Sequence, residues 1–299
     1  ISCRRLFWKY RMRKIFFENE EKRISISFLP QSKEEIVFWN ENYDNKDILI
    51  LICNEFLDEK IIKEFKKINY HAQCIILCNS QTEKKTCDKL KVYSAFINKN
   101  CFLDENIYKI DKSIQKEYDG IYSTSYNNRK RLNLCYNMSN INVLLNYKNT
   151  LIPDEVLKSL NILNEKTVAD NEIYKFYNKA KFGLCLINQD DSSNANAEYL
   201  LCGLPVNSVE SAGGRNVWYN EYNSSIIDPT KESVEKGIEV CLKKIESGKF
   251  NSELIRRKQL ILMNEFRKKF AHVISIMTGF SGEFCEILIK EKIKNKFTL

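Results

Sequence analysis

The chain has 299 residues, 43% of them apolar and 12% aromatic, which suits a soluble globular protein with two domains and real cores. Lysine and arginine outnumber aspartate and glutamate by 47 to 39, and the net charge of +8 suits an anionic ligand or surface without choosing between a nucleotide diphosphate, an acidic lipid headgroup and nucleic acid. With His71 and His272 the only imidazoles, a histidine-based triad or multi-histidine metal site is not expected; eleven cysteines without a C-x-x-C pair read as buried reduced thiols of a cytosolic protein, not as a disulfide frame or zinc site.

Residues 3–14 mix Arg4, Arg5, Lys9, Arg11, Arg13 and Lys14 with Leu6, Phe7, Trp8 and Tyr10. Such a segment can lie on an anionic membrane face or form a solvated helix or strand edge. The chain opens at Ile1 and not at methionine, so further residues are expected before it. No nucleic-acid-binding motif accompanies the basic stretch, and nucleic acid is not an expected partner. No apolar run is long enough to span a bilayer. The expectation is a cytoplasmic protein in peripheral contact with the inner membrane face through residues 3–14.

From Arg23 the pattern turns β then α. Arg23 to Leu29 alternates, Asp47 to Cys53 reads as a buried strand, Glu59 to Ile68 as an amphipathic helix and Gln73 to Cys78 as a further strand, the rhythm of an open α/β sheet. The turn formers Asn54-Glu55 and Asn79-Ser80 follow these strands and would open towards a cleft, with Glu55 the acid there to test on an acceptor side. Tyr93 to Glu105 has little helical character, as in a strand or linker. A second series of elements starts at Asp119, which places the domain boundary between Asp111 and Asp119. There the strand DGIYS runs into the loop Thr124 to Asn128, and Arg129-Lys130-Arg131 stand at the start of a helix. Ile141 to Asn146 is the next strand, Pro153 opens a helix, and Asp170 to Ala180 is a helix with Ile173, Phe176 and Tyr177 as core.

The central stretch is Phe182 to Tyr219, FGLCLINQDDSSNANAEYLLCGLPVNSVESAGGRNVWY. An apolar strand, a polar turn, a helix-like AEYLLCG and a second strand leading to Gly213-Gly214 make a parallel βαβ crossover. Ligands of such sheets sit at the carboxyl ends of the strands, where a helix start presents unpaired amides to an anion. Ser192, Ser193, Asn194 and Asn196 lie at that helix start and can cap it. Gly213 and Gly214 let backbone approach a ligand, and Arg215 follows them.

This stretch resembles the nucleotide-sugar site of GT-B glycosyltransferases of the retaining group 1 (family 4) type, in which two acids are separated by seven residues. Asp190 and Glu198 keep that spacing, and AEYLLCGLPVNSVESAGGR is similar to the helix-Gly-Pro-strand-Gly-Gly passage of the family. The resemblance implies two Rossmann-like α/β domains facing a cleft, with a C-terminal helix crossing back to the first. It implies Glu198 on the donor ribose and Asp190 near the transferred sugar, both as catalytic residues. It also implies Lys130, Arg131, Ser192, Ser193, Asn194, Gly213, Gly214 and Arg215 around the donor. The family offers an Arg and, five residues on, a Lys to the diphosphate; here Lys130 matches the second, but Ser125 stands in the first position and cannot form a bidentate fork, so Arg129 or Arg131 would have to compensate.

Ser224 to Asp228 reads as a last strand ended by Pro229, Glu232 to Ser247 as an amphipathic helix, and a long helix runs from Ser252 towards His272. The expected division is 1–115 as an acceptor-side domain, 116–260 as the donor domain and 261–299 as a helical return to the first. The implied activity is a hexosyltransferase that uses a nucleotide-sugar as substrate, without cofactor or metal, and a glycan or glycolipid as acceptor. The alternative is a catalytically weakened relative that binds a nucleotide or partner.

Overall fold

The computed structural model describes residues 14–29, 45–53, 57, 59–66, 73–147, 151–188 and 193–292. They fall into two compact units, one ending at Phe102 and resuming at Asn264, the other running from Leu103 to Met263.

In the first unit, β1 (Lys14–Glu18), β2 (Arg23–Phe28), β3 (Asp47–Ile52), β4 (Gln73–Cys78) and β5 (Ser94–Phe96) form one sheet in sequential order, with β1 antiparallel and the rest parallel. β3 is DILILI and buried at every position, as a parallel strand covered on both faces requires. Arg23 and Asp47, in register at the starts of β2 and β3, form a bidentate pair at 2.5 and 2.6 Å. Helices α1 (Glu59–Lys66) and α2 (Gln81–Lys89) follow β3 and β4.

The turn at Asn79-Ser80 does not open to a ligand as expected. Ser80 caps α2 by accepting from Glu83 N, while Asn79 is wholly buried, donates to Cys53 O at 3.0 Å and accepts from Lys99 N at 3.0 Å. Its carboxamide thus knits the chain after β3 to the chain after β5. The described cysteines are thiols, and all but Cys74 are buried. Burial pushes the thiols of Cys135 and Cys241 up to about 12.

The second unit carries a six-stranded parallel sheet of β6 (Tyr118–Ser125), β7 (Ile141–Asn146), β8 (Asn161–Ile162), β9 (Ala180–Cys185), β10 (Val206–Val209) and β11 (Ser224–Ile227), in the order β11-β10-β9-β6-β7-β8. Its helices are α3 (Asp154–Lys158), α4 (Asp170–Lys179), α5 (Asn194–Leu201) and α6 (Lys231–Glu246). The chain steps from β6 out to β8, then returns to the other side of β6 for β9, β10 and β11. That is the doubly wound order, and its direction reverses between β6 and β9.

The units divide at Phe102, where the sequence put the boundary at 115, because residues 103–117 bind the second unit. Asn178 of α4 accepts from Asp111 N at 2.9 Å and donates to Lys109 O, Glu117 N donates to Lys179 O, and Lys116 Nζ donates to Ala180 O at 2.6 Å. Helix α7 (Ser252–Thr278) begins in the second unit and ends in the first, followed by α8 (Gly282–Lys292). Its later half supplies Phe266 against Phe96 and Phe270 against Phe102, edge to face at 5.3 and 5.0 Å. Its first turns hold Arg256, whose guanidinium donates to the carbonyls of Tyr108, Leu201 and Glu105.

Arg129-Lys130-Arg131 do not start an α-helix. Residues Asn128–Lys130 make one 3-10 turn, Arg131 turns into the left-handed region at φ 50°, and a second 3-10 turn follows at Leu132–Cys135. A β-carbon residue in that conformation ends regular helix.

Candidate functional site

Where the sheet reverses direction, β6 and β9 part. Their register ends at Ile121 and Gly183, and the next free amide of β6, Ser123 N, donates to the hydroxyl of Tyr199 at 2.6 Å. Tyr199 belongs to α5 and lies flat on β9. A β-carbon on Gly183 would come within 2.2 Å of its ring, so only glycine admits this approach. Tyr177 of α4 meets Tyr199 edge-on at 4.8 Å and donates its hydroxyl to Glu198 Oε2 at 2.7 Å. Burial first, and the Glu198 carboxylate second, hold the Tyr177 phenol well above its usual value; burial does the same for Tyr199. Both therefore stay neutral, Tyr177 donating to Glu198 and Tyr199 accepting from Ser123 N.

Three loops leave this edge of the sheet. After β6, the hydroxyl of Tyr122 donates to Lys130 O at 2.5 Å and pins the loop to its strand. Lys130 is half-buried, and the Nη1 of Arg131 is buried without a hydrogen-bond partner. After β9 comes α5, whose N-cap residue Ser193 makes no side-chain capping bond. In its first turn Asn196 is wholly buried, and neither Nδ2 nor Oδ1 has a partner. After β10, Gly213 N donates to Ser211 Oγ and Gly214 adopts φ 92°, a conformation suited to glycine. Arg215 is wholly buried, its Nε donating to Ser208 Oγ at 3.1 Å and its Nη2 to Val209 O at 2.7 Å. Asn216 donates to Ser211 O and leaves its buried Oδ1 unmatched.

Buried polar atoms in a native protein are nearly all paired, so unmatched ones on three neighbouring loops mark the place of a polar ligand or water. The amides of the α5 start, with the positive pole of the helix, and the cations Lys130 and Arg131 make an anion the fitting occupant. Arg215, expected around the donor, makes these two bonds to β10. From there it adds fixed positive charge close enough to act on the Tyr122 phenol. Ser193, Asn194, Glu198, Gly213 and Gly214 stand around the same edge, whereas Asp190, Ser192 and Glu55 lie outside the described residues. Among the described residues no group of three or more metal-ligating side chains gathers.

No family model matches the chain, and no curated protein matches it in sequence. Solved structures do match it in three dimensions. Sucrose-phosphate synthase from Thermosynechococcus elongatus superposes with a TM-score of 0.61 at 10% identity, over 78% of this chain and 68% of that one. Together with the two sheets of mainly parallel strands and the helix shared between the units, this likeness decides the architecture. The fold is GT-B. Anabaena HepE in complex with UDP gives 0.56 at 12% identity over 77% and 72%, and a glycosyltransferase from Rickettsia africae gives 0.55 at 11% over 84% and 83%.

Within the GT-B frame, two features go beyond what the sequence offered: the bond of Tyr177 to Glu198, and the unmatched burial of Asn196, which the sequence placed only as a capping residue. Tyr177 reads there as core, which it is, but its bond to Glu198 depends on how α4 and α5 meet, and no spacing encodes that. Asn196 was visible as one polar residue inside ANAEYLL, on a helix whose other sheet-facing residues are apolar.

Proposed function

We propose that the protein is a glycosyltransferase that moves a sugar from a nucleotide-sugar to a hydroxyl of a glycan or glycolipid, without metal and with retention at the anomeric carbon. The observation that carries this reading is the set of unmatched polar groups at the reversal point of the second sheet in a GT-B fold. HepE, a fold neighbour, is solved with UDP and with UDP-glucose, which supports a uridine nucleotide as the first ligand to try.

In the reaction the bond from the anomeric carbon to the diphosphate oxygen breaks, a bond to the acceptor oxygen forms, and the acceptor proton leaves. Negative charge grows on the departing diphosphate. Lys130, Arg131 and the first-turn amides of α5 neutralise it, and buried Arg215 adds a charge that needs no reorganisation. Glu198, fixed by Tyr177, holds the ribose hydroxyls; Asp190 stands by the sugar. The reading keeps the enzyme cytoplasmic, with the nucleotide-sugar as substrate and no cofactor.

The test is thermal-shift or calorimetric binding of UDP and GDP without added metal, on the wild type and on Glu198→Ala. Stabilisation that is lost in the variant supports the donor site; absence of binding to the folded wild type at millimolar nucleotide refutes it. One observation favours a second reading, a weakened relative that binds without turnover: Ser125 ends β6 where the resemblance expects arginine, and its hydroxyl is taken up by Asn127 Nδ2 at 3.3 Å. Donor binding without transfer or hydrolysis of any donor would select it.

A further inference from the structure

Among the described residues of the second unit, Asn196 is the buried asparagine whose carboxamide is unmatched at both ends. The other buried asparagines of its unit are engaged: Asn178 at both ends of its amide, Asn223 at both ends, and Asn207 through a bond to Gly237 O. Asn196 has no partner at either end. Its place follows from helix geometry. Residues three apart share a face, and Asn196 stands three before Tyr199, whose ring covers Gly183 of β9 and whose hydroxyl reaches Ser123 of β6. Asn196 therefore lies one turn nearer the helix start on the sheet-facing side, over the carboxyl ends where β6 and β9 part.

Packing does not call for asparagine there, because its helix neighbours Ala197, Leu200 and Leu201 are buried and apolar. Leaving both ends of a buried amide unmatched is costly, and a leucine of similar size would be stabilising. An ionised phosphate does not account for the residue, since it offers acceptors only and leaves Oδ1 empty. A pair of hydroxyls satisfies both ends.

We propose that Asn196 reads the transferred sugar: Nδ2 donates to one sugar hydroxyl, and Oδ1 accepts the proton of another. The assignment rests on the donor site described above and adds a specificity-determining residue to it.

The experiment is calorimetric titration of the wild type, Asn196→Leu and Asn196→Ala with UDP and GDP, then with UDP-glucose, UDP-galactose, UDP-N-acetylglucosamine and GDP-mannose. Both variants should bind the bare nucleotide within about twofold of the wild type and lose roughly 10- to 100-fold of the affinity that the sugar adds. Ligand-free Asn196→Leu should melt at or above the wild-type temperature, and Asn196→Ala carries the comparison if the leucine variant does not fold. An unchanged sugar increment in the variants, or a wild type that gains nothing from any sugar, overturns the role of Asn196 while leaving nucleotide binding intact. A wild type that binds no nucleotide at all overturns the donor site itself.

Discussion

Gly183→Ala tests the packing that places α5. The new β-carbon would lie 2.2 Å from Tyr199 Cδ2 and 2.5 Å from its Cγ, so the ring must retreat by about 1.2 Å to reach ordinary contact. It has nowhere to go, being wholly buried and in edge contact with Tyr177 at 4.8 Å. Overpacking of this kind costs roughly 1–3 kcal/mol, and loss of the Tyr199 hydroxyl from Ser123 N adds about 0.5–1.5 kcal/mol. The expected loss is thus about 2–4 kcal/mol, read from urea unfolding with an unchanged slope. In a Tyr199→Leu background the ring is gone, and the same glycine change should cost under about 1 kcal/mol. The cycle should then show a coupling of at least about 1 kcal/mol. A Gly183→Ala protein as stable as wild type, or an additive cycle, would refute the claim that glycine is there to seat the ring.

Further outcomes follow from the same geometry. Tyr177→Phe removes a buried donor from the Glu198 carboxylate and should cost about 1–3 kcal/mol; it should also narrow the preference for UDP over its 2′-deoxy analogue, which a merely structural loss would leave alone. Burial raises the phenols of Tyr118, Tyr122, Tyr177 and Tyr199. Because the unfolded chain releases these protons from about pH 10 while the folded one keeps them, their contribution is complete below that pH and stability falls as pH rises above it. The melting temperature should drop there together with the appearance of tyrosinate absorbance; full titration of the tyrosines in a protein that stays folded would contradict the burial argument. Arg256→Met abandons three carbonyls and should cost roughly 2–4 kcal/mol, with faster proteolysis within residues 103–117. Arg131→Met should leave the unliganded protein unharmed, since its Nη1 is already unmatched, yet weaken UDP about tenfold or more and flatten the salt dependence of binding.

The α/β rhythm was legible because each strand core writes itself as an unbroken apolar run: DILILI and FGLCLI cannot be solvated faces. The crossover at Phe182 to Val209 was legible for the same reason, helped by the Gly-Leu-Pro break between α5 and β10. The boundary was missed by a dozen residues because the anchors of residues 103–117 run through backbone carbonyls, those of Lys109 and Glu105 taken by Asn178 and Arg256 and that of Ala180 taken by Lys116, and a carbonyl leaves no mark in a sequence. The turn after β6 was missed because three basic residues fit a helix by propensity, while the left-handed Arg131 is imposed by the bond from Tyr122 to Lys130 O and by the loop returning to its strand. In the site, residue types were readable and their fastenings were not: nothing in the sequence says that Arg215 is buried and bonded to Ser208 and Val209 of β10.

That division of duties says where function can reside on α5. The helix is held beneath by Tyr199 on Gly183 and at its side by Tyr177 on Glu198. At its carboxyl end Arg256 takes the carbonyl of Leu201, and Leu204 N returns to Tyr199 O. All of these bonds act from residue 198 onward. Among the described residues the first turn, with Asn194, Ala195 and Asn196, shows no such fastening, yet it is the end that carries the positive pole of the helix and the open carboxamide. A helix fixed at one end presents the other in a defined position, which is what a site needs if binding is not to spend its energy on ordering the protein. The unmatched groups are therefore held at a fixed place by a rigid scaffold, and a ligand that fills them gains their full hydrogen-bond energy without first having to assemble the site.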